Sequence, residues 1–215
     1  MQPIEQTTIL IDGPVGKLEV GLSVPTTLDQ RSVGLVCHPL PIEGGTMNNK
    51  VVTTLVRAFN ECGMAAVRFN FRGVGKSEGE FDHAVGEVDD CLAVLDYVQQ
   101  RFPGVPVSLS GFSFGSYIAA KVAQQHNPEC LISIAPPVNL KLYDFETLIP
   151  AHFPWLVVQG DQDEVVSAAD VAAWAKRAGV EFHEMENVSH FFHGRLIQLR
   201  ELVEIFLKKT LSKID

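Results

Sequence analysis

From about residue 30 onward, the chain alternates between short apolar segments of strand length and longer segments with helical periodicity. This alternation predicts a mostly parallel sheet with helices on both faces, because each crossover between parallel strands needs a connection long enough for a helix. The predicted strands are Thr7–Ile11, Lys17–Val24, Val33–Cys37, Ala65–Phe71, Val105–Leu109, Cys130–Ala135, Trp155–Gln159 and Val180–Met185, and the predicted helices are Met47–Glu61, Ala84–Gln100, Ser116–Gln125, Ala168–Arg177 and Leu196–Lys209. We therefore predict one α/β domain over residues 1–215, with a sheet of about seven or eight strands whose first two form an antiparallel hairpin.

The segment Gly111-Phe112-Ser113-Phe114-Gly115 lies between a predicted strand and a predicted helix. A G-x-S-x-G pattern in this position is typical of a nucleophile elbow, a tight turn that raises the serine hydroxyl above the edge of the sheet. Glycines fit the flanking positions because side chains there would clash. A second match to the pattern surrounds Ser77, but no strand ends before it and no apolar helix follows it. The context therefore favours Ser113 as the nucleophile.

Candidate acids and bases follow two later predicted strands. Asp161 and Asp163 come directly after the seventh strand, and His190 and His193 come after the eighth. Because the carboxyl ends of parallel strands meet at one edge of a sheet, we expect these side chains to lie near Ser113. A serine needs a base to become nucleophilic, and an acid orients that base. The residues alone leave both the choice of aspartate and the choice of histidine open.

Acyl transfer also needs two N–H donors for the negative oxygen that develops on the carbonyl. The Phe114 N–H directly follows the nucleophile and is the first candidate. The loop at residues 38–41 follows the third predicted strand and contains two prolines, which lack an N–H, so Leu40 is the second candidate. We predict that His38, in the same loop, and Phe191, beside the candidate bases, contact the substrate.

The composition argues against several classes of partner. The net charge is −9 at pH 7, and nucleic acids or anionic membranes need clustered Lys and Arg instead. The longest apolar runs fall well short of the roughly 18 residues of a membrane span, and no signal peptide is recognised, so we expect a cytoplasmic protein without membrane or nucleic-acid partners. The four cysteines have neither disulfide-framework nor metal-site spacing, and we expect no metal.

Residues 70–77 nearly match a phosphate-binding P-loop, but Asn70 replaces the first glycine and no helix clearly follows. A nucleotide site is therefore not favoured. We interpret the segment as a glycine-rich loop at the border of the active site. Arg72 would either form a structural ion pair, which we favour, or contact an acidic substrate.

Five segments taken together resemble a bacterial group of small, lidless α/β-hydrolases related to dienelactone hydrolases and carboxylesterases. The segments are 38–52, 70–75, 111–115, 160–163 and 190–192, and the resemblance extends over nearly the whole chain. It implies an α/β-hydrolase fold, a triad of Ser113, Asp163 and His190, and no cofactor. Dienelactone hydrolases use a cysteine nucleophile, so their particular activity is not implied.

A lid domain would be inserted between the sixth and seventh predicted strands, where only about twenty residues are available, too few for a folded cap. We therefore expect an open site with an apolar wall formed by Leu40, Phe114, Phe191 and Phe192, whereas Phe112 is expected in the core. The predicted function is hydrolysis of small acyl esters or thioesters through an acyl-enzyme. The alternatives are a peptidase, a hydrolase of C–C bonds, or a non-catalytic binding or scaffold protein on the same fold. The sequence does not indicate an oligomeric state.

Overall fold

The computed structural model describes residues 3–29, 31–140, 143–149 and 152–212. Its sheet has eight strands in the spatial order β1-β2-β4-β3-β5-β6-β7-β8. The first pairing, β1 with β2, and the next, β2 with β4, are antiparallel, and all the others are parallel. The strands are β1 (Ile4–Gly13), β2 (Gly16–Pro25), β3 (Val33–Cys37), β4 (Ala66–Phe69), β5 (Val107–Phe112), β6 (Leu131–Ile134), β7 (Trp155–Gly160) and β8 (Glu181–Met185).

In the described part of the chain, five α-helices cover the sheet, and two short 3-10 turns lie in loops at Pro41–Glu43 and Phe145–Thr147. The helices are α1 (Lys50–Glu61), α2 (Gly86–Arg101), α3 (Phe114–His126), α4 (Ala168–Ala178) and α5 (Leu196–Leu211). The buried residues of α2, α3 and α4 pack with one face of the sheet, and those of α1 and α5 pack with the other. The prediction of a mostly parallel sheet with helices on both faces is confirmed.

The central strands are buried along their whole length, whereas the outermost strands are not. Every residue of β3, β5, β6 and β7 is buried, because helices cover both sides of the sheet there. The edge strand β1 is mostly exposed and is paired along its length with β2. Apolar burial on two faces explains why the central strands read as continuous apolar runs in the sequence.

Two helix starts differ from the prediction, for local reasons. The predicted helix at Met47 begins only at Lys50, because the Asn49 side chain accepts the Val51 N–H at 2.8 Å and caps the helix there. The predicted helix at Ala84 begins at Gly86, because Ala84 has a left-handed φ of 72°. The strand before the elbow is predicted to end at Leu109, but β5 continues to Phe112 and leads directly into Ser113.

Candidate active site

The strand-to-helix turn after β5 places Ser113 in an unusual backbone conformation. Ser113 has φ 51° and ψ −120°, and α3 begins at the next residue. A positive φ is costly for a residue other than glycine, so the surrounding structure must impose it. A Cβ at Gly111 would collide with the Gly115 carbonyl, and a Cβ at Gly115 would collide with the backbone at the end of β3. Both glycines of the pattern are therefore required by close backbone approach.

His190 connects Ser113 to Asp163 through its two ring nitrogens. Its Nε2 lies 3.2 Å from Ser113 Oγ, and its Nδ1 lies 2.7 Å from Asp163 Oδ2. The His190 side chain is 4% exposed and that of Asp163 is fully buried, so bulk water does not compete for the bond between them. The three side chains come from loops after β5, β7 and β8, which end at the same edge of the sheet. The structure thus brings together the three residues predicted as the triad.

The Asp163 carboxylate accepts hydrogen bonds at both oxygens. Oδ1 accepts the N–H groups of Val165 and Val166, each at 2.8 Å, while Oδ2 receives His190 and the Gln159 side-chain amide, the latter at 2.8 Å. Burial alone would raise the pKa of Asp163, but the hydrogen bonds from His190 and the two backbone N–H groups, together with the charge of His190, lower it below its ordinary value. Asp163 is therefore held as a carboxylate facing the imidazole.

Asp161 and His193, the alternative acid and base, make other contacts in the structure. Asp161 is exposed, and its Oδ1 accepts the Val188 N–H at 3.2 Å, which ties the loop after β7 to the loop after β8. His193 is exposed and stacks on the Phe191 ring, with 5.9 Å between ring centroids. Neither residue has a hydrogen bond to Ser113 within the part of the chain that the structure describes.

The two N–H groups predicted to bind the oxyanion are both available. Neither the Leu40 N–H nor the Phe114 N–H donates a hydrogen bond to any described residue. Phe114 is the first residue of α3, so its N–H lies at the positive end of the helix dipole. The carbonyl of Leu40 accepts the Gly45 N–H at 3.0 Å, which closes the loop in which Leu40 lies.

His38 does not fit its predicted role as a substrate contact. Its side chain is fully buried, and both ring nitrogens are occupied by backbone. Nε2 accepts the Phe71 N–H at 3.1 Å, so Nδ1 carries the proton and donates it to the Pro39 carbonyl at 2.6 Å. Burial lowers the pKa of His38 to about 4, although the bond to Pro39 opposes this. His38 is a neutral residue that joins the loop at residues 38–41 to the loop after β4.

The predicted apolar wall is smaller than expected. Phe114 and Phe192 are buried in the core, as is Phe112, which was expected there. Phe191 remains 41% exposed and packs edge-on against the His190 ring, with 5.2 Å between ring centroids. Leu40 is half-buried. Of the predicted wall, Leu40 and Phe191 alone are accessible from solvent.

The remaining candidates have structural positions. The Ser77 hydroxyl donates to the Asn70 carbonyl and accepts the Glu19 N–H, so it is not a second nucleophile. Arg72 is buried and forms a two-pronged ion pair with Asp90, with its closest N–O distance at 2.8 Å. The near match to a P-loop is therefore a loop held by buried polar contacts, and no helix follows it before α2.

Two contacts at the site were not anticipated from the sequence. Gln159 donates to Asp163, and the Glu164 carboxylate accepts the His190 N–H at 3.2 Å. A glutamine near the end of a buried strand is the signal that could have indicated the first, because polar side chains are seldom fully buried without a specific partner. Glu164 had no signal beyond its position next to Asp163.

Two features are absent from the described residues. No group of three or more His, Cys, Asp or Glu side chains among them is arranged to hold a metal ion. No described helix has the length and apolar character needed to cross a bilayer.

Comparisons with known proteins support a small α/β serine hydrolase fold. The family model described as Serine aminopeptidase, S33 (Hydrolase_4) matches residues 40–151. An α/β serine hydrolase homologue from Coxiella burnetii is 52% identical, with a TM-score of 0.89, and the match covers 94% of this chain and 97% of that one. A serine hydrolase from Xanthomonas campestris, described as having no lid, is 42% identical, with a TM-score of 0.91 and coverage of 99% and 98%.

A more distant solved structure is Est1E from Butyrivibrio proteoclasticus with ferulic acid bound. It is 21% identical to this chain, with a TM-score of 0.84, and the match covers 95% of this chain and 100% of that one. At this level of identity the likeness concerns the fold alone.

Proposed function

This chain belongs to the α/β-hydrolase family described by the matching model, and we propose that it hydrolyses small acyl esters or thioesters through Ser113, His190 and Asp163. One observation carries the proposal: the buried His190 ring lies within hydrogen-bond distance of both Ser113 Oγ and Asp163 Oδ2. A base between a nucleophile and an orienting acid is the arrangement that serine acyl transfer requires.

In the first half of the proposed reaction, Ser113 Oγ forms a bond to the acyl carbonyl carbon while its proton passes to His190 Nε2. The carbonyl oxygen becomes an oxyanion that accepts the N–H groups of Leu40 and Phe114, and Asp163 stabilises the imidazolium. The intermediate then breaks its bond to the alcohol or thiol, which leaves with the proton from His190. The acyl group remains on Ser113.

In the second half, water attacks the acyl-enzyme as His190 accepts one of its protons. A second oxyanion forms at the same two N–H groups, and its collapse breaks the bond to Ser113 Oγ, which recovers its proton from His190. The products are a carboxylic acid and the free enzyme. No cofactor enters either half.

Three features favour acyl groups of modest size on an open surface. The connection from β6 to β7 occupies residues 135–154, which leaves no room for a folded cap. Phe191 presents an exposed ring beside His190. Est1E, which shares the fold, has ferulic acid, a small aromatic acid, bound.

A peptidase is the second candidate, because the matching family model is described as a serine aminopeptidase. The same triad serves either chemistry, since both break a bond to an acyl carbon. A free amino terminus in a peptide substrate needs an anionic partner, and Glu164 is the exposed carboxylate that contacts the His190 backbone. We place this candidate second because an amine is a poorer leaving group than an alcohol and because Glu164 is only one carboxylate.

The test is a substrate panel with triad variants. We expect the wild type to hydrolyse p-nitrophenyl acetate or butyrate faster than an aminoacyl p-nitroanilide, and Ser113→Ala to reduce kcat by a factor of about 10⁴ or more. Asp163→Asn should reduce kcat by roughly 10³-fold or more, because it no longer favours the correct imidazole tautomer. The matched control, His193→Gln, changes a nearby exposed histidine and should retain activity.

The panel also separates the candidates. A higher kcat/KM for the anilide than for the esters would favour the peptidase. Ester turnover that survives Ser113→Ala would refute the proposal.

As the place of action we propose the cytoplasm, which suits four cysteines that are all free thiols.

A further inference from the structure

Gln159 lies in β7 one residue before its end, and its side chain is fully buried next to the proposed triad. Its Nε2 is 2.8 Å from Asp163 Oδ2, the oxygen that also faces His190 Nδ1. Its other two contacts, to the Gly160 and Val166 carbonyls, are 3.4 Å long and therefore weak. Its single short hydrogen bond thus goes to the carboxylate.

The other end of the same amide has no partner. Gln159 Oε1 is buried and has no hydrogen-bond donor among the residues that the structure describes. A buried, unpaired polar oxygen has lost its hydrogen bonds to water without replacement, which destabilises the folded state. The neighbouring strand positions Val157 and Val158 are fully buried and apolar, so an apolar side chain would suit this environment better. Core packing alone therefore does not account for a glutamine here.

We propose that Gln159 is a positioning residue for the Asp163–His190 pair, which fixes the carboxylate and limits how strongly it holds the protonated imidazole. The inference rests on the proposed function of that pair. Two backbone N–H groups hold Oδ1, so without Gln159 the one close donor to Oδ2 among the described residues would be His190. The second donor, from Gln159, prevents rotation of the carboxylate and shares the negative charge of Oδ2.

The effect of Gln159 on the negative charge of Asp163 Oδ2 has a direct consequence for proton transfer. Without the Gln159 donor, Oδ2 offers more negative charge to the imidazolium, which is therefore held in its protonated form up to a higher pH. A histidine that stays protonated cannot accept the proton of Ser113. Loss of the amide should therefore slow the reaction most at the acidic side of the pH range.

Other groups around His190 also influence the protonation of its ring, and the test requires that they are the same in the wild type and in the variant. The Glu164 carboxylate accepts the backbone N–H of His190, and Asp161, in the same loop, accepts the backbone N–H of Val188. His193 stacks on Phe191, whose ring packs against that of His190. Ser113 Oγ faces the opposite ring nitrogen. None of them is altered by a substitution at 159, so a change in the pH profile would report on the amide itself.

The decisive variant is Gln159→Met, which keeps the length of the side chain and removes the donor. We expect kcat for p-nitrophenyl acetate to fall by about 10-fold to 100-fold, because the Asp163 carboxylate loses a hydrogen bond that supports it. KM should change by less than about 2-fold, because the residue does not touch substrate. The acidic limb of the pH–kcat/KM profile should move to higher pH by roughly half a unit or more.

Two further variants separate positioning from a structural role. Val157→Ala removes a fully buried side chain two residues away in the same strand, and should lower the thermal midpoint while leaving the pH profile unchanged. Gln159→Glu keeps the shape but can donate only while protonated, so its kcat should decline as pH rises, unlike that of Gln159→Met.

A measurement independent of turnover completes the test. The His190 ring can be followed by NMR across pH in the wild type and in Gln159→Met, with the midpoint of its protonation expected at higher pH in the variant. An unmoved midpoint, or a kcat profile identical to that of the wild type, would overturn the proposal. Absence of Ser113-dependent hydrolysis would instead refute the proposed function, and the NMR midpoints would still decide the role of Gln159.

Discussion

Acidification should destabilise this protein through one buried histidine, His38. The folded state holds His38 neutral, because its Nε2 already accepts the Phe71 N–H and its Nδ1–H is donated to Pro39. Burial lowers its pKa from an ordinary 6.5 to about 4. Between these two values the unfolded chain binds a proton that the folded protein excludes, so stability falls as pH falls through this window and levels off below it.

The size of this effect follows from the two pKa values. At about 1.4 kcal/mol per pH unit, His38 alone costs about 3 kcal/mol of unfolding free energy when the pH drops from neutrality to below about 4. Roughly 2 kcal/mol of that loss falls between pH 7 and pH 5. A protein of marginal stability, with about 5–15 kcal/mol in total, would show such a loss clearly.

Urea unfolding at pH 7 and at pH 5, followed by the fluorescence of the buried Trp155 and Trp174, measures the effect. The matched control is His38→Gln, whose amide stays neutral at both pH values. The wild type should lose about 2 kcal/mol more than this variant between the two pH values, whatever the variant costs at pH 7. Groups shared by both proteins cancel in the difference. Parallel losses in the two proteins would refute the reasoning.

Three other substitutions test separate contacts. Gly115→Ala should destabilise the fold by about 1–3 kcal/mol or more and reduce activity, since the new Cβ would collide with the backbone that follows β3; thermal unfolding and ester kinetics would show both, and a wild-type midpoint would contradict it. Asp90→Ala removes the two-pronged partner of the buried Arg72 and leaves it the more distant, exposed Asp82 carboxylate at 3.9 Å, so it should cost about 3–5 kcal/mol by urea unfolding, whereas a cost under about 1 kcal/mol would count against the pair with Asp90. Phe191→Ala, at a 41% exposed ring, should raise KM for apolar esters several-fold with little change in thermal midpoint; an unchanged KM would remove the ring from the substrate surface.

Much of the fold could be predicted because its signals are local. Strands such as β3 and β7 are continuous apolar runs, and helices such as α5 repeat apolar residues at helical spacing. Helix starts were less predictable, since they depend on caps and on partners from distant segments. The N–H of Met47, for example, donates to Asn70 Oδ1 at 2.8 Å, a contact that no local pattern indicates.

In the candidate site, too, residues with local sequence signals were predictable and residues placed by distant segments were not. Ser113 was predictable because its glycines and the strand–turn–helix context are local and physically required. The choice of Asp163 over Asp161, and of His190 over His193, needed either the family resemblance or the distances. The burial of His38 and the contact from Gln159 depend on how three loops pack together. From sequence alone, a histidine in a loop proposed to bind the oxyanion is equally consistent with a substrate contact and with a structural role.

The central claim is that Ser113 is an activated nucleophile, and covalent labelling tests it most directly. Wild type and Ser113→Ala would each be treated with a fluorophosphonate, and their intact masses would be measured, with circular dichroism to establish that both are folded. The account predicts one adduct on the wild type and none on the variant. A folded wild type that gains no adduct, or an adduct that persists in Ser113→Ala, would contradict it.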